Sequence, residues 1–205
     1  MQSPVKISRD VADALAAHRP VVALESSVIA QGLPAPDILI AAAELLAAVG
    51  QAGAMPAMIG ILDGDFRIGL DSGDIARLAE EDGVLKVSRR DIAYAVSTGQ
   101  AGATTISATM IGAAKAGIAV MATGGIGGVH RGTGHGMDIS AETERAIAAA
   151  VAAAEAAGIT GRAVTPYLLD RVAAATGGAS IAVNRALLVA NARLAAEIAV
   201  ALANG

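Results

Sequence analysis

The sequence predicts an α/β fold, and three observations carry that prediction. Short apolar or β-branched runs alternate with helical stretches up to about residue 122, the pattern of successive βαβ units around a mostly parallel sheet. From about Ser140 the strand signal stops and three Ala-rich helical stretches follow. A chain of 205 residues that is 54% hydrophobic supplies one sizeable core and hardly two. A single domain over 1–205 is therefore expected, with residues 1–142 carrying the sheet and 143–205 the terminal helices. The change near Ser140 is read as helices packing on the sheet they follow.

Taken in order, Ser8 to His18 has Val11, Ala12 and Leu15 at helical spacing and stops at Pro20. Val21 to Leu24 is an apolar run ending in Glu25, which reads as a buried parallel strand. After the Gly32 to Pro36 loop, Asp37 opens a helix through Leu39, Ile40, Leu45, Leu46 and Val49 that ends near Gly50 or Gly53. Ala57 to Leu62 and Phe66 to Leu70 flank Asp63-Gly64-Asp65 and predict a hairpin. Ser72 to Glu81 reads as a helix with Ser72 as its N-cap, Leu85 to Val87 as a strand, and Arg90 to Ser97 as a helix closed by Gly99. Thr104 to Ser107 and Ile118 to Ala122 are strand-like, with the helix Ala108 to Ala116 between them. Glu142 to Ala157, Thr165 to Thr176 and Ala179 to Ala203 are the terminal helices.

Composition removes several function classes. A net charge of -4 and only 17% charged residues argue against the basic surface that nucleic acid or an anionic membrane requires. The three aromatic residues, Phe66, Tyr94 and Tyr167, leave little on which bases can stack. Ala and Gly produce the mean hydropathy of +0.57, and no stretch is expected to reach the roughly 20 strongly apolar residues of a spanning helix. Met1 to Asp10 lacks a secretory apolar centre, so a cytoplasmic protein is expected. With no cysteine, a metal must sit on oxygen or imidazole ligands.

Four places carry chemistry. Thr123 to Gly132 holds five glycines after a strand and no helix former before Ser140, so its backbone N–H groups can wrap an anion with help from Arg131; a glycine loop without a ligand is the other reading. Dinucleotide and P-loop patterns both fail there, since no helix starts in the glycine run and no Lys-Ser or Lys-Thr closes it. Asp138, Ser140 and Glu142, with His130 and His135 nearby, offer oxygen and imidazole donors suited to magnesium or manganese, or simply start a helix. Glu25, at the C-terminal end of a predicted parallel strand, stands where open α/β sheets place ligands and is an acid/base candidate, though an exposed strand-end Glu would cost nothing. Lys86, at a strand end before Ser88-Arg89-Arg90-Asp91, is singled out among the three lysines; Lys6 and Lys115 read as solvated.

These segments together resemble pseudouridine-5'-phosphate glycosidases: Val22-Ala23-Leu24-Glu25-Ser26-Ser27-Val28-Ile29, Lys86-Val87-Ser88-Arg89-Arg90-Asp91, Gly102-Ala103-Thr104-Thr105, Gly124 to Gly132, and Asp138-Ile139-Ser140-Ala141. Thr165-Pro166-Tyr167-Leu168-Leu169, Asn184 and Asn191-Ala192-Arg193 extend the resemblance into the last helices. The resemblance implies an α/β/α-layered, manganese-dependent homotrimer that reversibly splits the carbon–carbon glycosidic bond of pseudouridine 5'-phosphate, a phosphorylated C-nucleoside, into uracil and ribose 5-phosphate. It further implies Glu25 as proton donor and Asp138 as manganese ligand. Lys86, Ile106, Ser140, Ala141, Glu142 and Asn184 match substrate-contacting positions, with Ile106 and Glu142 standing where the family has Val and Asp.

One departure is chemical. In the family a Gly-Ala-Lys-Ser-Ile motif supplies a Schiff-base lysine; here Glu142 runs directly into Arg145-Ala146-Ile147 and no lysine follows Lys115. Arginine stays protonated and cannot replace an amine nucleophile. The expectation is turnover far below that of a lysine-bearing member, or none, and the alternative is a ribose-phosphate- and metal-binding or assembly protein of the same family.

Overall fold

The computed structural model describes residues 4–31, 37–124, 141–160, 164–175 and 177–205. They fall in two compact units, Met1–Gly124 with Leu187–Gly205, and Gly125–Ala186.

The first unit is built on a seven-stranded sheet. Its strands are β1 (Val5–Ile7), β2 (Val21–Glu25), β3 (Met55–Leu62), β4 (Asp65–Ile68), β5 (Leu85–Val87), β6 (Gly102–Thr104) and β7 (Val120–Ala122). The main order is β1-β4-β3-β2-β7, parallel except for the β3–β4 hairpin. Beyond Ile59, where β2 ends, the same edge of β3 is taken up by β6, antiparallel at Gly60 and Ile61, and β6 in turn pairs with β5 in parallel. The sheet is thus mostly parallel, as expected.

The helices are α1 (Arg9–Ala16), α2 (Ser27–Gln31), α3 (Asp37–Gln51), α4 (Ser72–Glu80), α5 (Ile92–Thr98), α6 (Ile106–Ala116), α7 (Ala141–Ala156), α8 (Val164–Ala175) and α9 (Ala179–Asn204). Strand alternation sends Val22, Leu24, Met58 and Leu62 to one face, where they pack with α3, α4 and the later turns of α9. Val21, Ala23, Ala57, Ile59 and Ile61 face the other way, against α1, α5 and α6. Helices therefore cover both faces, the layered arrangement a parallel sheet needs when neither side can meet water. In the second unit α7 packs against α8.

Local chemistry explains most elements. The hairpin turns through Asp63 and Gly64 at φ 55 and 80, the positive pair a type I′ turn requires. Arg67 and Arg77 both donate to the Asp63 carboxylate at 2.7 to 3.1 Å, and the Arg77 hydrogen bond above all holds that carboxyl below its usual range. Gly99 closes α5 in the left-handed conformation.

Several expectations are corrected. Asp71, not Ser72, caps α4, accepting from the Asp74 amide at 2.8 Å. The strand expected over Thr104–Ser107 is shifted: β6 ends at Thr104, Thr105 caps, and α6 begins at Ile106. The β-branched run misleads because Thr105 is held by its side chain and backbone to the Val87 carbonyl, which turns the chain out of the sheet. β1 and α2 carried no signal of their own. Finally, Ser180–Asn204 is long and apolar enough by length and composition to cross a membrane, with mean hydropathy 1.7, which overturns the expectation that no stretch reaches that limit. Its Leu188, Ala192, Ala195, Ala196 and Ala199 are packed in the core.

Candidate active site

Glu25 is the last residue of β2, the strand flanked in parallel by β3 and β7, and it is 8% exposed. Register sets Leu24 opposite Ala122, so the residue after β7, Thr123, lies alongside Glu25. The Thr123 hydroxyl donates to Glu25 Oε1, and the Ser27 hydroxyl, at the start of α2, donates to Oε2 at 2.8 Å. Both carboxylate oxygens are thereby occupied by hydroxyls, and among the described residues no cation pairs with them. A hydroxyl can donate to a carboxylate or turn to accept from a carboxylic acid, so this setting serves either protonation state. Beside them lies a small, open cleft walled by Val28, Leu45, Ala122, Leu188 and Ala192.

The backbone carrying Glu25 is braced from below. Where β3 changes partner from β2 to β6, the Ile59 carbonyl accepts from the Ser26 and Thr104 hydroxyls, each at 2.6 Å. The Thr104 amide donates to Ser26 Oγ at 2.8 Å, and the Thr109 hydroxyl donates to Thr104 Oγ1 at 2.9 Å. All three hydroxyl residues are fully buried. The network satisfies the carbonyl at the gap in the ladder, as a buried backbone acceptor requires.

The other predicted site residues fall in different places. Lys86, in the middle of β5, is half-buried and forms no ion pair among the described residues. Ile106, half-buried, opens α6 two residues after Thr104, the register partner of Val87. Lys86 thus pairs with Ala103 in mid-strand while Ile106 lies past the end of β6, and no described hydrogen bond joins Lys86 to Glu25. Nearby, Ser88 donates through its amide and hydroxyl to Asp91 Oδ2, and these two bonds hold the Asp91 carboxyl below its ordinary value. Asn184 is exposed on α9, in the second unit. Asp138 and Ser140 lie outside the described residues, as do the side chains of Ala141 and Glu142 at the start of α7. Among the described residues no group of three His, Asp or Glu side chains gathers as for a metal.

Ser27 and Asn191 lie inside the family-like motifs with no role assigned by the sequence, and Thr123 stands there only as the start of the glycine segment. Asn191, on α9, donates its side-chain amide to the Thr123 carbonyl at 2.9 Å and reaches the Gly124 carbonyl at 3.5 Å. Because these partners lie 98 and 68 residues apart along the chain, no local spacing announces them.

Fold and site define a layered α/β protein with a hydroxyl-held acid at the C-terminal ends of its parallel strands. A family model described as indigoidine synthase A-like protein matches residues 10–145 and 140–201. The pseudouridine-5'-phosphate glycosidase of Rhodospirillum centenum is 37% identical over 301 aligned positions, covering 99% of this chain and 94% of that protein. That of Roseobacter denitrificans is 50% identical over 139 residues, 68% of this chain but only 45% of that protein. The crystal structure of the prealnumycin C-glycosynthase AlnA in complex with ribulose 5-phosphate superposes with a TM-score of 0.83 at 29% identity, covering 100% of this chain and 98% of that one. An indigoidine synthase A-like protein from Thermotoga maritima, with a TM-score of 0.77 at 22% identity, shares the fold. The chain belongs to the indigoidine synthase A-like family. With 205 residues against 301 aligned positions it is a shortened member, and the two family matches meet at 140–145, where the resemblance locates the missing segment.

Proposed function

We propose that this chain takes pseudouridine 5'-phosphate at the Glu25 cleft and is built for cleavage of its carbon–carbon glycosidic bond to uracil and ribose 5-phosphate. The observation that carries the reading is the Glu25 carboxyl at the strand ends, each oxygen held by a hydroxyl and opening on an apolar cleft. Relatives named for this reaction support it.

In that reaction the bond between the anomeric carbon and uracil C5 breaks, C5 gains a proton, and oxygen from water ends on the sugar. Glu25 supplies the proton at C5. Ser27 and Thr123 keep its carboxyl oriented, so little reorganisation is needed when the proton leaves. Lys86 and Ile106 contact the sugar phosphate, and Ser140, Ala141, Glu142 and Asn184 are assigned substrate contact on the resemblance alone. By the resemblance, the Asp138 carboxylate would hold manganese, which would supply charge neutralisation. The working form is a homotrimer in the cytoplasm.

The chain lacks the lysine that would open the sugar covalently, so the proposal includes slow turnover. Uracil release with saturating manganese, beside a relative that carries the lysine, tests it: release at least tenfold slower, with ribose 5-phosphate still bound, is the expected result. Turnover within tenfold means another route replaces the amine. Borohydride trapping with ribose 5-phosphate and mass analysis then shows whether Lys86 forms the adduct. Failure to bind either sugar phosphate removes the reading altogether. For the metal, calorimetry should show manganese binding lost in Asp138→Ala; equal affinity refutes that ligand.

A further inference from the structure

We propose that Asn191 is a positioning residue for Glu25, acting through Thr123; the inference rests on the assignment of proton transfer to Glu25 made above. Past the end of β7 the Thr123 and Gly124 carbonyls have left the strand ladder. Asn191 meets both, donating to Thr123 O at 2.9 Å and lying 3.5 Å from Gly124 O. The helix is held firmly at this point: Leu188 and Ala192, on either side of Asn191, are 9% and 0% exposed, and both line the Glu25 cleft. The approach is close, since a Cβ placed on Gly124 would lie 3.0 Å from Leu188 Cδ2.

Thr123 converts this backbone anchor into control of the acid. A threonine is stiff at χ1, so its hydroxyl goes where its backbone directs it. With the Thr123 carbonyl fixed by Asn191, the hydroxyl is fixed against Glu25 Oε1. The order of action is Asn191 to the Thr123 backbone, the Thr123 hydroxyl to the carboxyl, and the carboxyl to the reacting carbon. Only a donor serves at position 191, because the groups it meets are carbonyl oxygens. Asn191 itself touches neither Glu25 nor, on this reading, the substrate.

The test uses the full chain and three near-isosteric variants: Asn191→Leu, which removes the donors, Thr123→Val, which removes the hydroxyl, and the double variant. Uracil release from pseudouridine 5'-phosphate should show kcat reduced about tenfold in each single variant with KM within about twofold, because the substrate's own contacts are untouched. The double variant should be no slower than Thr123→Val alone, since both changes break one chain of contacts. Multiplied losses in the double variant, a loss confined to KM, or an unchanged kcat in Asn191→Leu overturns the proposal. If the Leu variant does not fold, Asn191→Ala takes its place with the same expectations. Should the unaltered chain release no uracil, the carbon-13 signal of the Glu25 carboxyl at fixed pH decides the positioning. That signal should move in the same direction in Asn191→Leu and Thr123→Val and stay put in Arg193→Ala, whose partner is the exposed Glu197. An unmoved signal in Asn191→Leu refutes the coupling.

Discussion

Replacing Thr104 with valine tests the hydroxyl network that braces β2. Valine keeps the shape of threonine, so no cavity forms in a site that is fully buried. Two bonds are lost, donation to the Ile59 carbonyl at 2.6 Å and acceptance from the Thr109 hydroxyl at 2.9 Å. The Ile59 carbonyl keeps Ser26, and the amide of residue 104 keeps Ser26 Oγ, so neither backbone group is orphaned. The Thr109 hydroxyl is. A lost buried hydrogen bond is worth about 1 kcal/mol net, and a stranded buried hydroxyl adds about 1–3 kcal/mol. The expected destabilisation is therefore about 2–4 kcal/mol, towards the lower end if Thr109 turns back to the carbonyl one helical turn before it. At this chain length that lowers Tm by roughly 5–15 °C. Urea unfolding followed by circular dichroism should show the loss in the midpoint with an unchanged slope. Adding Thr109→Val should restore part of it, because two apolar groups facing each other leave nothing unpaired. A single-variant loss below about 0.5 kcal/mol, or a double variant as unstable as the summed singles, refutes the account.

Three further outcomes follow from the same structure. Glu25→Gln should leave Tm within about 2 °C, since one of the two hydroxyls, Ser27 or Thr123, can turn to accept from the amide nitrogen as the other still donates to the amide oxygen, while any uracil release falls at least about 100-fold; equal release removes Glu25 from proton transfer. Gly102→Ala should cost about 1–3 kcal/mol in urea unfolding, because the added methyl would lie 2.6 Å from Val87 Cγ2 on the neighbouring strand. Asp91→Asn should lower stability at neutral pH, and the gap from the unaltered chain should close as pH falls. The Asp91 carboxyl is held below its usual 3.8 by Ser88, so its contribution is present above that pH and is lost as acid protonates it below; a gap that stays constant to pH 2 contradicts the assignment.

Both the hairpin and the buried strand were legible because their signals are local. Asp63-Gly64 has the residue types that tolerate positive φ, and Val21 to Leu24 is apolar on both faces because both faces are covered. The helices from Asp37 and from Ala179 likewise announce themselves over many turns. β1 was not legible: three residues with two exposed side chains carry no alternation strong enough to read, and only pairing with β4 makes them a strand. α9 was misjudged for another reason, since a long alanine-rich stretch is apolar by composition whether it meets lipid or a sheet.

By itself the sequence determined the α/β class, the family, the place of Glu25 at a strand end, and the absence of lysine after Lys115. Each of these is written in residue types or in short periods along the chain. The tertiary structure alone decided that β3 shares one edge between β2 and β6, that Ser26 and Thr104 fill the joint, and that Thr123 and Asn191 stand behind Glu25. The physical reason is that a hydrogen bond between distant segments depends on where the packed sheet and helices bring their ends, and backbone periodicity records only which face a residue presents, not what it will meet there.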